Sequence, residues 1–116
     1  MSISTASRKA KGRKLQQFVR DLILSLFPSL EPDDVKSTSM GASGEDVQLS
    51  PAARKLVPLS IECKSVAKFA GYKYLDQADS NSKEHQPVAV VKANHRKPIV
   101  LVDAEYFFQL MKDKNG

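Results

Sequence analysis

The chain has 116 residues, 41% hydrophobic and 27% charged, and its 18 Lys and Arg against 13 Asp and Glu leave a formal charge of +5. That length fits one domain with a core of its own, and the lone cysteine, Cys63, excludes an internal disulfide framework and a cysteine-based zinc site. No stretch approaches the roughly 18 consecutive apolar residues of a spanning helix, and the polar, basic N-terminus lacks the apolar segment of a signal peptide, so no membrane partner and a cytoplasmic location are expected.

Residues 1–7 are small and polar and are expected to form a disordered tail, leaving residues 8–116 as the single domain. From about Arg8 to Phe27, Leu15, Phe18, Val19, Leu22, Ile23 and Leu26 recur at three- and four-residue spacing, which predicts an amphipathic helix closed by Pro28 and Pro32. Its first turns hold Arg8, Lys9, Lys11, Arg13 and Lys14. Positive charge there opposes the helix dipole, which argues for an external anion such as a DNA backbone; the plain alternative is a solvated helix start.

Short extended pieces follow: Val35 to Met40 as an edge strand, Met40 to Gly44 as a turn, and Asp46 to Leu49 as an alternating strand. A Ser- and Pro-rich link between Pro51 and Pro58 leads to the alternating strand Leu59 to Lys64. Tyr72 to Lys83 predicts a second helix, Pro87 to Lys92 and Pro98 to Val102 two more strands, and Asp103 the cap of a final helix with Phe107, Phe108, Leu110 and Met111. Phe107, Phe108 and Met111 read as core or dimer interface. The order implies an α/β (α+β) domain with one mixed central sheet of about five strands flanked by helices.

Strand alternation puts Leu59, Ile61 and Cys63 on one face and Ser60, Glu62 and Lys64 on the other. Asp46 is out of phase with Val47 and Leu49, so pairing of the two strands over a common core brings Asp46, Glu62 and Lys64 onto one polar face. Two carboxylates suit a hard divalent cation, and a lysine beside them can position or deprotonate a water or stabilise a charged phosphate. The alternative is a solvated strand with a surface ion pair. Glu45 is aimed at the opposite face from Asp46, and Cys63 reads as a buried thiol.

The series Ser43-Gly44-Glu45-Asp46-Val47, a connection, and Ile61-Glu62-Cys63-Lys64 resembles the PD-(D/E)XK nuclease superfamily, and within it the small Holliday-junction resolvases and related phage endonucleases. The likeness runs from about Lys11 to Leu110 and rests on the order and spacing of short motifs. It implies a restriction-endonuclease-like core and a Mg²⁺-dependent endonuclease, with Mn²⁺ able to substitute, that hydrolyses phosphodiesters in branched or four-way DNA during recombination. It further implies a homodimer, and the host cytoplasm as its location if the protein is phage-encoded. Asp46, Glu62 and the main-chain carbonyl of Cys63 are implied as metal ligands, Lys64 as the catalytic lysine, and Gln77 as a helix glutamine near the site. Glu45 replaces the proline of the superfamily's name, and Gln16, four residues after Gly12, stands where the resolvases carry a glutamate. Gln16 can reach a metal-bound water but adds no charge. A second basic cluster, Lys92, His95, Arg96 and Lys97, is a further candidate DNA contact; Lys68, Tyr72, Lys73 and Tyr74 either clamp nucleic acid or pack the second helix. Two alternatives stay open: a nicking, flap- or end-processing nuclease of the same fold, and a DNA-binding module without catalysis.

Overall fold

A computed structural model of the chain describes residues 5–38 and 44–115. Helix α1 (Thr5–Leu26) begins three residues earlier than the sequence predicts, so residues 5–7 are helical instead of part of a tail, and residues 1–4 lie outside the described residues. The predicted turn from Met40 to Gly44 and the end of the predicted edge strand fall largely on residues 39–43, also outside them. After a short 3-10 turn (Pro32–Asp34), strands β1 (Val35–Ser37) and β2 (Val47–Leu49) pair antiparallel, with Val35 opposite Leu49. Val35 and Val47 are fully buried.

Where the composition predicts a link, the chain forms a short helix, α2 (Pro51–Leu56). Ser50 caps it by accepting the Ala53 N–H at 3.1 Å, and Pro51 occupies the first helical position, where no N–H is needed. Strand β3 (Leu59–Val66) then pairs in parallel with β4 (Gln86–Ala93), Ile61 opposite Val88 and Cys63 opposite Val90. A parallel pair needs a crossover, which helix α3 (Gly71–Asn81) supplies. Strand β5 (Ile99–Leu101) adds antiparallel to β4, and α4 (Ala104–Asn115) ends the described chain, with Asp103 accepting the Tyr106 N–H at 2.8 Å as its cap.

Among the described residues the fold is thus mixed α/β with four α-helices, but its strands form two sheets, one of two strands and one in the order β3-β4-β5, instead of a single sheet of about five. The reason lies where β2 meets β3. Asp46 N–H donates to the Ile61 carbonyl at 3.3 Å, and the next donor on β3, the Cys63 N–H, goes to the Asp46 carboxylate at 2.8 Å instead of to a backbone carbonyl. A side chain interrupts the ladder at the site itself.

The larger sheet carries a helix on each face. Ile61, Cys63, Val88 and Val90 pack with Leu15, Val19 and Ile23 of α1, while Ala89 and Val91 pack with Tyr74 of α3. The apolar stripe of α1 divides: Leu15, Val19 and Ile23 are buried, whereas Phe18, Leu22 and Leu26 are exposed. No helix among the described residues is long and apolar enough to cross a membrane.

Candidate functional site

Asp46 sits in the bend before β2, and its main chain is fixed twice. Its carbonyl accepts from the Thr38 N–H at 3.0 Å and from the Thr38 hydroxyl at 3.2 Å. Its Oδ2 takes the Cys63 N–H, which sets the carboxylate against the second half of β3. In an extended strand the N–H and C=O of one residue point to the same side, so the Cys63 carbonyl is presented on the edge where the Asp46 carboxylate lies.

Glu62 follows the alternation onto the α3 face of β3, where it is only 6% exposed. Burying a charge there requires partners, and it has two: Lys64 Nζ lies 3.2 Å from Oε1, and Asn81 of α3 donates through Nδ2 to Oε2 at 3.0 Å. Burial raises the Glu62 carboxyl above its ordinary range, the Asp46 charge raises it further, and the Lys64 ammonium opposes both. Burial, reinforced by the Asp46 and Glu62 charges, also drives the Cys63 thiol well above its usual value, so it is an inert buried sulfur.

Asp46, Glu62 and Lys64 therefore come together as the alternation predicts. The other two expected members do not join them through any hydrogen bond. Gln16 is buried at 3% exposure on α1, which packs on the opposite face of β3 from Glu62, and its Oε1 has no hydrogen-bond partner. Gln77 on α3 likewise has a buried Oε1 without a partner. The helix residue that does touch the site is Asn81, one turn beyond Gln77, and sequence reasoning missed it. The available signal was a polar residue continuing the Tyr74 and Ala78 face of α3, both of which are buried.

Glu45, like Asp46, precedes β2, so strand alternation does not govern it; it is held away by an ion pair with Arg54 of α2, which also donates to the Leu59 carbonyl at 3.2 Å. Tyr74 packs α3 on the sheet, its hydroxyl donating to the Lys68 carbonyl at 3.0 Å and accepting from the Ala70 N–H at 3.1 Å. Tyr72, by contrast, is 87% exposed.

The donor set fits a hard cation: two carboxylates, the Cys63 carbonyl on the same edge, and a Glu62 carboxyl raised by the Asp46 charge, a repulsion that a cation between them would relieve. Each carboxylate has about four lone-pair positions, so the bonds already made leave capacity for metal. Among the described residues, no group of three or more His, Cys, Asp or Glu side chains is placed to hold a metal. Any ion here would depend on the backbone carbonyl and on water.

The two basic segments, far apart in sequence, meet. Arg8, Lys9, Lys11, Arg13 and Lys14 are all exposed along the first half of α1. Lys11 Nζ donates to Asn94 Oδ1 at 3.1 Å, in the turn after β4 that also carries His95, Arg96 and Lys97. That turn closes by an Arg96 N–H to Ala93 carbonyl bond of 3.2 Å, with His95 in the left-handed region at φ 61°. Between helix and turn lies a groove of about 480 Å³ lined by Lys11, Lys14, Lys92, His95 and Ser65, on the α1 face of the sheet and so across β3 from Glu62 and Lys64. No protein-family model, curated protein or solved structure matches the chain.

Proposed function

We propose that the protein is a metal-dependent DNA endonuclease with a restriction-endonuclease-like core, acting on branched DNA in the manner of a Holliday-junction resolvase. One observation carries this reading: Asp46 and Glu62 are set against each other beside the Cys63 carbonyl, with Lys64 held on Glu62. Such a pair of carboxylates, one of them buried at a cost, serves no packing purpose that a neutral pair would not serve better.

In this reading Asp46, Glu62 and the Cys63 carbonyl hold Mg²⁺, or Mn²⁺ in its place. An ion held there would supply charge neutralisation at the phosphodiester and would lower the pKa of water. Lys64, whose side chain is 31% exposed, has its ammonium anchored on the Glu62 carboxylate. From there it orients the attacking water and stabilises the negative charge that develops on the phosphate oxygens. Asn81 keeps the Glu62 carboxylate from turning away. The groove between α1 and the β4–β5 turn supports a polyanion such as DNA as the partner, because its lysines can neutralise phosphates, although it lies on the α1 face of the sheet and Glu62 and Lys64 lie on the other.

A second reading, a DNA-binding module without catalysis, is favoured by Gln16, a neutral side chain where the resolvases carry a carboxylate. Incubation of the protein with labelled four-way junction, flap, linear duplex and single-stranded DNA, with Mg²⁺ and with EDTA, separates the readings. Paired nicks in the junction that require metal are expected. Cleavage of flaps or ends instead changes the substrate class, and binding without cleavage in every condition contradicts the nuclease.

A further inference from the structure

Past Lys64 and Val66, residues 67–70 carry the chain from β3 into α3. The Tyr74 hydroxyl ties this loop on both sides of Phe69, accepting from the Ala70 N–H at 3.1 Å and donating to the Lys68 carbonyl at 3.0 Å. Tyr74 is itself buried against Ala89 and Val91, with Val66 packed beside it. The backbone that presents Phe69 is therefore anchored to the core.

Phe69 is nonetheless 59% exposed. Its ring meets that of Tyr74 edge-on, with centroids 6.0 Å apart and planes at 80°. The far edge of the ring rests on Gly71, where a Cβ would come within 3.0 Å of it. Tyr72, in the first turn of α3, is 87% exposed. A lone exposed aromatic is ordinary. Two of them three residues apart, one clamped in place with more than half its surface in water, are a surface preorganised for a flat ligand.

Charge decides the kind of ligand. Lys68 and Lys73 are exposed on either side of the aromatic pair in sequence, and the first turn of α3 holds no acidic residue. Asp76 and Asp79 are exposed on the turns that follow. An anionic chain is therefore attracted at the start of α3 and repelled further along it, which leaves the end of β3 as its course. Alternation puts Val66 on the same face of that strand as Lys64, and the five residues from Lys64 to Phe69 span at most about 18 Å. Flat rings and phosphates at short intervals describe a nucleic acid strand, and an unpaired base offers its π-face to an aromatic side chain.

We propose that Phe69 and Tyr72 form a stacking platform for an unpaired base of a DNA strand. Lys68 and Lys73 take the flanking phosphates, and the strand continues over β3 toward Lys64. The proposal takes DNA as the ligand from the reading above, and adds that the protein distinguishes unpaired from paired strands.

Binding in EDTA tests the platform apart from cleavage. Fluorescence anisotropy compares a labelled oligothymidylate with a duplex of the same length. Phe69→Ala and Tyr72→Ala are each expected to weaken single-strand binding by about tenfold while duplex binding holds. Phe69→Leu, which keeps apolar bulk without the ring, is expected to do the same, and Phe69→Tyr to bind as the wild type does. Circular dichroism confirms the fold of each variant. The chain has three tyrosines and no tryptophan, so its tyrosine emission is a direct reporter. The single strand is expected to quench it, and Tyr72→Phe to remove most of the quench at unchanged affinity. A wild type that does not bind the single strand overturns the proposal. So does a Phe69→Leu protein that binds it as tightly as the wild type, a loss shared equally by the duplex, or a quench that survives Tyr72→Phe. The expected binding without cleavage in Mg²⁺ would remove the nuclease and keep the platform; cleavage with unaltered Phe69→Leu binding would do the reverse.

Discussion

Glu62 is held in an environment that opposes its charge, and this makes a prediction at the scale of one residue. Its carboxyl is raised chiefly by burial and then by Asp46, so the folded state binds a proton more readily than the unfolded chain does. Stability linked to Glu62 is therefore full below the unfolded pKa and is lost as pH rises through the folded value. At neutral pH without metal, Glu62→Gln should melt at a higher temperature than the wild type and, under the proposed function, lose cleavage, an exchange of stability for function. A lower melting temperature in EDTA would contradict this account of the site's electrostatics. Asn81→Ala acts oppositely, stripping a donor from a buried carboxylate; denaturant titration should show a loss of about 1–3 kcal/mol.

At the scale of elements, the junction of β1, β2 and α2 depends on Asp34. Its Oδ1 accepts the Ser50 hydroxyl at 2.6 Å and its Oδ2 the Glu31 N–H at 2.8 Å, and these bonds, that from Ser50 foremost, lower its carboxyl below the usual range. The sign is the reverse of that for Glu62: the contribution is present above the unfolded pKa and lost as pH falls through the lowered folded one. Asp34→Asn should flatten the acid limb of a stability-versus-pH curve; an unchanged limb would show that the bonds are not formed in solution. The same region shows how much the sequence discloses. Strand alternation alone puts Glu62 and Lys64 on one face, and phase puts Asp46 with them, because those properties are local. Helix α2 is six residues long, too short for periodicity, and is marked only by Ser50 and Pro51 at its start. Asn81 belongs to the site because α3 packs on the Glu62 face of β3, a long-range choice that spacing along the chain does not encode. The division of strands into two sheets is hidden for the same reason: it turns on the Cys63 N–H choosing a carboxylate over a carbonyl.

The whole molecule has two unlike surfaces on one side of its larger sheet: a basic groove between α1 and the β4–β5 turn, and an apolar one between α1 and α4. Periodicity in α1 marks a single apolar stripe. Only the assembled fold shows that its Phe18 and Leu22 edge faces an open groove while Leu15 and Val19 face the core. The basic groove likewise emerges only on folding, when Lys11 and Lys14 come to lie beside Lys92. If DNA lies in it, Lys14→Glu with Lys92→Glu should weaken DNA binding measured in EDTA. It should also lower the salt dependence of affinity, by about 0.9 in logarithmic slope for each phosphate that is no longer neutralised. An unchanged slope would place the DNA elsewhere.

The central claim is that Asp46, Glu62 and Lys64 form a metal-dependent nuclease site, and one comparison tests it most directly. Junction cleavage is followed for the wild type and for Asp46→Asn, each with Mg²⁺ and with EDTA, alongside binding of the same DNA. The account predicts cleavage only by the wild type with Mg²⁺, and comparable binding by both proteins. Cleavage that persists in EDTA, or an Asp46→Asn protein that cuts at the wild-type rate, would contradict it.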